Sequence, residues 1–197
     1  MPGEKTALVL LAEGFEEVEA VTPIDYLRRA GATVTVAAVG GNSLYVNGAR
    51  GITVSADIFL EEAMESDILP SALVIPGGLP GADNIAASVE ARALIAKMQG
   101  AGKKVCAICA SPAIVLAPLG ILAGKKFTCY PGMEKGIADG HWSDDPVVID
   151  GNIITSRGAG TAGLFSLAII AALFGEEKAR EIAQSVLIVF GGDIPRP

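Results

Sequence analysis

Short apolar runs alternate along the chain with longer amphipathic segments. The apolar runs have the length of buried parallel strands and cover residues 6–12, 33–39, 72–75 and 104–108. Apolar residues at helical spacing predict helices over residues 15–31, 60–64, 84–101, 161–174 and 176–189. Residues 52–56 and 127–132 are predicted as strands, and residues 147–155 as a hairpin with an Asp-Gly turn.

This alternation extends over the whole chain without a repeat or a low-complexity linker. Strands that alternate with helices favour a mostly parallel sheet covered by helices. We therefore expect a single α/β domain over residues 1–197, with residues from about 191 forming a flexible tail.

The sharpest break in the pattern falls at Cys109. A strand is predicted to end there and a helix to begin at once, with Ser111 as its N-cap and Pro112 in its first turn. The small neighbours Ala107 and Ala110 permit the tight turn of a nucleophile elbow, here with sulfur as the nucleophile. Because a helix N-terminus stabilises a thiolate, we expect Cys109 to be more acidic than a free cysteine. The alternative is an inert, buried thiol.

Three carboxylates stand at the start of the first predicted helix, at Glu16, Glu17 and Glu19. For Glu16 and Glu17, favourable interaction with the helix dipole and solubility are sufficient explanations. Glu19 follows the carboxyl end of the first strand by one to two helical turns, where open α/β sheets place their sites. Glu19 is therefore the predicted catalytic carboxylate.

Charge and cysteine content narrow the class of function. A net charge of −7 argues against a nucleic-acid partner. No apolar run reaches the roughly 18 residues of a membrane-spanning helix, and the N-terminus does not have the pattern of a signal peptide. Three cysteines, an odd number, suggest reduced thiols in the cytoplasm.

Residues 158–163 match the G-x-G-x-x-G pattern of dinucleotide-binding proteins. Two helices follow the pattern, however, and no second parallel strand with an acidic residue at its tip is available to bind a ribose. Close packing of a helix is the preferred explanation, and we expect no cofactor.

The remaining cysteines and the single histidine offer a further alternative. Cys106, Cys109, Cys129 and His141 could form a zinc site, but Cys106 lies in an apolar strand. A Cys106–Cys109 disulfide is disfavoured because three residues of strand separate the Cα atoms by about 10 Å, and a disulfide needs less than about 7 Å. We expect Cys106 and Cys129 to be core residues, no bound metal, and His141 to be a surface or hydrogen-bonded residue.

Four stretches together resemble a known family. They are Glu-Glu-Val-Glu at residues 16–19, Pro-Gly-Gly at 76–78, Ala-Ile-Cys-Ala-Ser-Pro at 107–112 and Thr-Ser-Arg-Gly-Ala-Gly-Thr at 155–161. Their order and content are similar to the ThiJ/PfpI superfamily, in its DJ-1 (Parkinson disease protein deglycase) branch. The resemblance implies a flavodoxin-like three-layer α/β sandwich and a homodimer.

The resemblance also implies roles for individual residues. Cys109 would be an easily oxidised elbow cysteine, hydrogen-bonded by a protonated Glu19. Backbone groups would form an oxyanion and substrate-binding site at Gly77, Gly78 and Ala110.

Three further positions are implied for the pocket. Basic residues at Arg29 and Arg50 would lie near a pocket that faces the dimer partner. Tyr130 stands where many members of the family have a histidine, so Glu19 would be the main acid and base.

The implied activity is a cofactor-independent glyoxalase or protein deglycase. Its substrate would be methylglyoxal, glyoxal or the early adducts that these aldehydes form on a glycated protein, in defence against oxidative and carbonyl stress. Two alternatives stay open. One is a non-enzymatic redox sensor or chaperone that uses oxidation of Cys109, and the other is a cysteine peptidase or amidotransferase-like hydrolase.

Overall fold

The computed structural model describes residues 4–188, so the predicted tail from about residue 191 lies outside the described residues. The strands of this range are β1 (Thr6–Leu11), β2 (Thr33–Ala38), β3 (Tyr45–Asn47), β4 (Thr53–Ser55), β5 (Ile58–Phe59), β6 (Ala72–Ile75), β7 (Lys104–Ile108), β8 (Lys126–Phe127), β9 (His141–Trp142), β10 (Val147–Asp150) and β11 (Ile153–Ser156). The α-helices are α1 (Glu17–Arg29), α2 (Leu60–Met64), α3 (Gly81–Ala87), α4 (Val89–Gly100), α5 (Ala162–Phe174) and α6 (Glu176–Ser185). None of these helices combines the length and the apolar character needed to cross a membrane.

The central sheet has seven strands in the order β10-β11-β7-β6-β1-β2-β5. All neighbours pair in parallel except β10 and β11, which form the predicted antiparallel hairpin. The strands β3 and β4 form a separate hairpin, and β8 pairs with β9. The mostly parallel sheet predicted from the apolar runs is therefore confirmed.

Helices cover both faces of this sheet. In β1, Val9 and Leu11 point to one face and Leu8 and Leu10 to the other, as the two-residue period of a strand requires. The first face packs against α1, α5 and α6, and the second against α2, α3 and α4. This arrangement is the expected three-layer sandwich.

The helix predicted over residues 84–101 is two helices, separated at Ser88. The backbone of Ser88 is extended, and its hydroxyl oxygen accepts a hydrogen bond of 3.0 Å from the Ala91 N–H at the start of α4. The guanidinium of Arg92 donates to the carbonyl oxygens of Ala86 and Ala87 at the end of α3. Side chains therefore satisfy both helix ends that meet at the break.

The segment after Cys109 also differs from the prediction. One wide π-helical turn at Pro112–Leu116 and a 3₁₀ turn at Ala117–Leu119 replace a regular α-helix. Pro118 has no N–H group and cannot continue the hydrogen bonding of the first turn. Ser111 does not cap the helix, because its hydroxyl donates to the Pro76 carbonyl oxygen at 2.5 Å.

Two element ends also differ. Of the strand predicted over residues 127–132, only residue 127 lies in β8, and α6 ends at Ser185 rather than at residue 189.

Candidate active site

The carboxyl ends of four parallel strands, β1, β6, β7 and β11, lie side by side at one edge of the sheet. The loops that follow them surround a cavity of about 370 Å³, which we call the Cys109 cavity. Its lining residues are Glu16, Glu19, Ala49, Arg50, Gly78, Leu79, Cys109, Ala110, Tyr130, Met133 and Ala159. Open α/β sheets bind their ligands at this edge.

Cys109 lies on the predicted elbow, directly after β7. Its φ of 63° is in the left-handed region, which costs a non-glycine residue about 1–2 kcal/mol. Two backbone hydrogen bonds hold it there, from its own N–H to the Ser156 carbonyl oxygen at 2.9 Å and from the Tyr130 N–H to its carbonyl oxygen at 2.8 Å. The turn therefore presents a partly buried sulfur to the cavity.

Glu19 reaches the same cavity from the first turns of α1 and is only 1% exposed. Burial raises the pKa of its carboxyl to about 7, and the charge of Glu16 adds to the rise. Hydrogen bonds with Cys109 and with the N–H groups of Gly77 and Ala159 lower the pKa but do not cancel the effect of burial. Glu19 can therefore take up and release a proton near neutral pH.

The structure gives the thiol the opposite pKa shift from the one expected at a helix N-terminus. Burial raises the pKa of Cys109 to about 12, together with the charge and hydrogen bond of Glu19. The N–H groups of Ala110 and Gly78 act in the other direction. The helix that was expected to favour a thiolate is reduced to a few irregular turns. Ionised Glu19 therefore disfavours the thiolate, and protonation of Glu19 removes the repulsion.

The N–H of Gly77 is not free to act as the expected oxyanion donor. Its N–H is occupied by a hydrogen bond of 2.9 Å to Oε2 of Glu19. A Cβ at this residue would lie 2.7 Å from both Cys109 Cβ and Glu19 Oε2. Gly77 therefore orients the carboxyl and allows the thiol to approach it, while Gly78 and Ala110 are the residues whose N–H groups act on the sulfur.

Glu17 was explained from the sequence by dipole and solubility effects; it does lie in the first turn of α1, but its burial contradicts the explanation by solubility. Its side chain is only 5% exposed, and Oε1 accepts hydrogen bonds from the N–H groups of Arg50 at 2.6 Å and Ile52 at 3.3 Å. Glu16, in contrast, is the N-cap of α1 and accepts the Glu19 N–H at 2.8 Å. The sequence did hold a signal, since Glu17 has helical spacing with the buried residues Ala20, Ile24 and Leu27 of α1, while the loop that follows β3 supplies its hydrogen bonds.

Of the remaining predicted residues, Arg50 and Tyr130 line the cavity and Arg29 does not. Arg29 is ten residues beyond Glu19 on α1, roughly 15 Å along the helix axis, and it bonds to Asp25 at 2.6 Å. His141 lies exposed in β9, away from the lining residues.

The other two cysteines are fully buried, as expected for core residues. Burial raises the pKa of Cys106, and it raises the pKa of Cys129 to about 11. Within residues 4–188, no group of three or more His, Cys, Asp or Glu side chains is arranged to hold a metal ion.

Ala159 is a lining residue that sequence reasoning missed. It lies in the glycine-rich stretch that was explained by helix packing, and its N–H interacts with the Glu19 carboxyl. This stretch directly follows β11, at the edge of the sheet that carries Cys109, and this position could have indicated that Ala159 lines the cavity.

Comparisons with known proteins agree with this fold and site. A model of the DJ-1/PfpI family matches residues 5–172. Protein DJ-1 homolog B of Arabidopsis thaliana is 42% identical over 186 residues, which are 94% of this chain and 42% of that protein. The chain thus spans less than half the length of that relative.

Two relatives are matched over nearly their whole length. Glutathione-independent glyoxalase DJR-1.2 of Caenorhabditis elegans is 33% identical over 191 residues, which cover 95% of this chain and 99% of that protein. The crystal structure of Drosophila melanogaster DJ-1beta has a TM-score of 0.89 at 38% identity, covering 95% of this chain and 100% of that chain. The family model extends over most of the chain and the solved relative shares its flavodoxin-like fold, so the chain belongs to the DJ-1/PfpI family.

Proposed function

We propose that the protein is a cofactor-independent enzyme that uses Cys109 to convert small 2-oxoaldehydes, or the early adducts they form on proteins, to hydroxy acids. The observation that carries this proposal is the pairing, in one cavity, of an elbow thiol with a buried carboxyl whose pKa is about 7. The similarity to a relative named as a glutathione-independent glyoxalase supports the same class of activity.

The first step is addition of the Cys109 sulfur to the aldehyde carbon. Because ionised Glu19 disfavours a thiolate, the thiol proton passes to Glu19 as the C–S bond forms. The aldehyde oxygen becomes an oxyanion, and Glu19 returns the proton to it, so the product is a neutral hemithioacetal and Glu19 is again an ionised carboxylate. The N–H groups of Gly78 and Ala110, which act on the sulfur, are the donors that would stabilise this oxyanion.

The second step moves a proton from the former aldehyde carbon to the neighbouring carbonyl carbon. Glu19 removes the proton from the former aldehyde carbon, which gives an enediol intermediate. It then delivers the proton to the neighbouring carbon, and the product is the thioester of a 2-hydroxy acid. Water then cleaves the thioester and regenerates the thiol. Methylglyoxal and one water give lactate, and no external oxidant or reductant is required.

Lactate formation from methylglyoxal by the purified protein tests this proposal. We expect Cys109→Ser and Glu19→Gln to lose at least about 100-fold in kcat/KM, the usual order for loss of an acid–base group. Glu19→Gln should still be alkylated at Cys109 by iodoacetamide, because the substitution removes a negative charge beside the sulfur.

The matched control is Cys106→Ala, which removes another thiol of the same segment that does not line the cavity. It should keep the wild-type rate. Wild-type turnover in either the Cys109 or the Glu19 variant would contradict the proposal.

A redox sensor is the second candidate function, favoured by the accessible sulfur and its two N–H neighbours. These groups could also stabilise a sulfinate. Mild peroxide followed by intact mass separates the two functions. A stable gain of two oxygen atoms at Cys109, without measurable aldehyde turnover before oxidation, would favour the sensor. The hydrolase alternative has less support, since His141, the only histidine of the chain, does not line the cavity.

A further inference from the structure

Glu17 is a buried carboxylate that the proposed chemistry does not use. It lies in the first turn of α1, two residues before Glu19. While Oε1 accepts two backbone N–H groups, Oε2 is buried without a hydrogen-bond partner among residues 4–188. Burial of a carboxylate with one unpaired oxygen carries a desolvation cost, which the bonds to Oε1 must offset.

Those two bonds hold the loop between β3 and β4. In this loop, Ala49 N–H donates to the Phe15 carbonyl oxygen at 2.8 Å and Gly48 N–H donates to the Ile52 carbonyl oxygen at 2.9 Å. A Cβ at Gly48 would overlap the Glu17 side chain, so the loop closes directly over the carboxylate. Glu17 therefore acts as the acceptor around which residues 48–52 fold.

The same loop brings Arg50 to the Cys109 cavity. Arg50 is the one cationic side chain among the lining residues. Within the described part of the chain its guanidinium makes no salt bridge, and its one hydrogen bond is a long contact of 3.4 Å with the neighbouring Ala49 carbonyl oxygen. Its position thus depends on the backbone that carries it.

Glu17 is ionised at neutral pH, which makes it a strong acceptor. Burial raises its pKa, but the N–H groups of Glu17 itself, Arg50 and Ile52, with the Arg50 charge, lower the pKa below the usual value. Hydrogen bonds to a charged acceptor are stronger than those to a neutral one.

We propose that Glu17 is a positioning residue, which holds the 48–52 loop so that the Arg50 guanidinium faces the Cys109 sulfur and favours its reaction with anionic electrophiles. The proposal concerns the cavity of the proposed function. Its test uses alkylation, so the result does not depend on aldehyde turnover.

The test compares alkylation of Cys109 by iodoacetate, which is negatively charged, and by iodoacetamide, which is neutral and of similar size. In both reactions the sulfur displaces iodide and forms a C–S bond. The ratio of the two rates, measured by peptide mass at Cys109, reports the charge near the sulfur and cancels changes in thiol pKa.

We expect the iodoacetate-to-iodoacetamide ratio to fall about threefold or more in Arg50→Ala, the order expected for a unit charge several ångströms away. Glu17→Ala should lower the ratio in the same direction. If Glu17→Ala only removed a negative charge, the ratio would rise. The direction of the change in the ratio therefore separates loss of the loop position, which lowers it, from loss of charge, which raises it. Glu17→Gln keeps an acceptor oxygen and should not lower the ratio.

The matched control is Glu13→Ala. Glu13 also accepts a hydrogen bond from the hairpin, from Asn47 N–H at 3.2 Å, but it does not line the Cys109 cavity. The iodoacetate-to-iodoacetamide ratio of the Glu13→Ala variant should equal that of the wild type. An unchanged or raised ratio in Glu17→Ala would overturn the proposal, and so would an equal fall in Glu17→Gln.

A measurement on the wild-type protein covers the case in which Glu17→Ala does not fold. The amide hydrogens of Arg50 and Ile52 should exchange with deuterium at least tenfold more slowly than in an unstructured peptide. Exchange at the unstructured rate would show that Glu17 does not hold the loop.

Discussion

The proton shared by Cys109 and Glu19 governs the chemistry of the site at the scale of single residues. The two groups line one cavity, and the N–H of Gly77, which lies next to both, donates a hydrogen bond to Glu19. Two negative charges so close together are unfavourable, so the pair carries at most one charge at neutral pH. Whether sulfur or carboxyl holds the proton at a given moment is then a property of the pair.

The pH dependence of turnover follows from this shared proton. Below the pKa of Glu19, about 7, both groups are protonated and no base is available. We expect kcat/KM for methylglyoxal to fall tenfold per unit as the pH decreases below about 7, and to be level above it. In Glu19→Gln the residual rate should not show this fall below about pH 7. A fall that persists in the variant would show that another group is responsible for it.

Stability should depend on the same ionisation. Burial raises the pKa of Glu19 from 4.5 to about 7, so the folded state holds a proton that the unfolded chain releases. The free energy of unfolding should therefore decrease as the pH rises from about 4.5 to about 7, by about 3 kcal/mol in total.

Urea unfolding of wild type and Glu19→Gln at pH 4.5 and pH 8 measures this effect. The difference in stability between the two proteins should shift by about 3 kcal/mol in favour of Glu19→Gln at pH 8. Equal pH dependence of the two proteins would mean that Glu19 is not the group responsible.

At the scale of elements, the site depends on how closely the loop after β6 approaches α1 and the elbow. A Cβ at Gly77 would lie 2.7 Å from Cys109 Cβ and 3.1 Å from the Ala110 backbone nitrogen, which cannot move away easily. We expect Gly77→Ala to destabilise the protein by about 1–3 kcal/mol, as overpacking does, and to reduce aldehyde turnover.

Gly100→Ala is the matched control, because a Cβ at Gly100 would meet no atom within 4 Å. At this last residue of α4 the substitution should be neutral or stabilising by up to about 1 kcal/mol. Urea unfolding and the lactate assay measure both variants. Equal stability and equal turnover of the two would show that the site does not require a residue without a Cβ at position 77.

The elements that the sequence predicted well are those with a strong local pattern. Apolar runs located β1, β2, β6 and β7, and the break after β7 located Cys109. The break at Ser88 was missed because helical periodicity continues across it, although its serine is a good N-cap. Local pattern also failed for the short β8, where tertiary contacts decide the backbone.

Within the site, residue type and position at a strand end were enough to select Cys109 and Glu19. The direction of the thiol pKa shift and the hydrogen bonds of Glu17 could not be predicted in this way. Both depend on distant segments that fold over the residue, and the hydrogen bond from Arg50 to Glu17 joins positions 33 residues apart. The desolvation of the thiol is a property of that assembly rather than of the residues next to it in sequence.

For the whole molecule, we propose a homodimer that uses the outer face of α1. Val18 and Val21 lie three residues apart on this helix and are 48% and 45% exposed, while Ile24 and Leu27 face the core. Apolar residues on the surface of a helix whose other side is already packed favour association with a second copy. The resemblance to the family led to the same expectation.

Light scattering after size exclusion tests the dimer. Wild type at micromolar concentration should have twice the mass of the chain, and Val18→Asp with Val21→Asp should reduce this to the single mass. Val89→Asp is the matched control, because Val89 is 64% exposed but lies on α4, on the opposite face of the sheet. A charged residue there should leave the dimer intact. A single-chain mass for the wild type, or equal dissociation of the α1 and α4 variants, would show that α1 is not the interface.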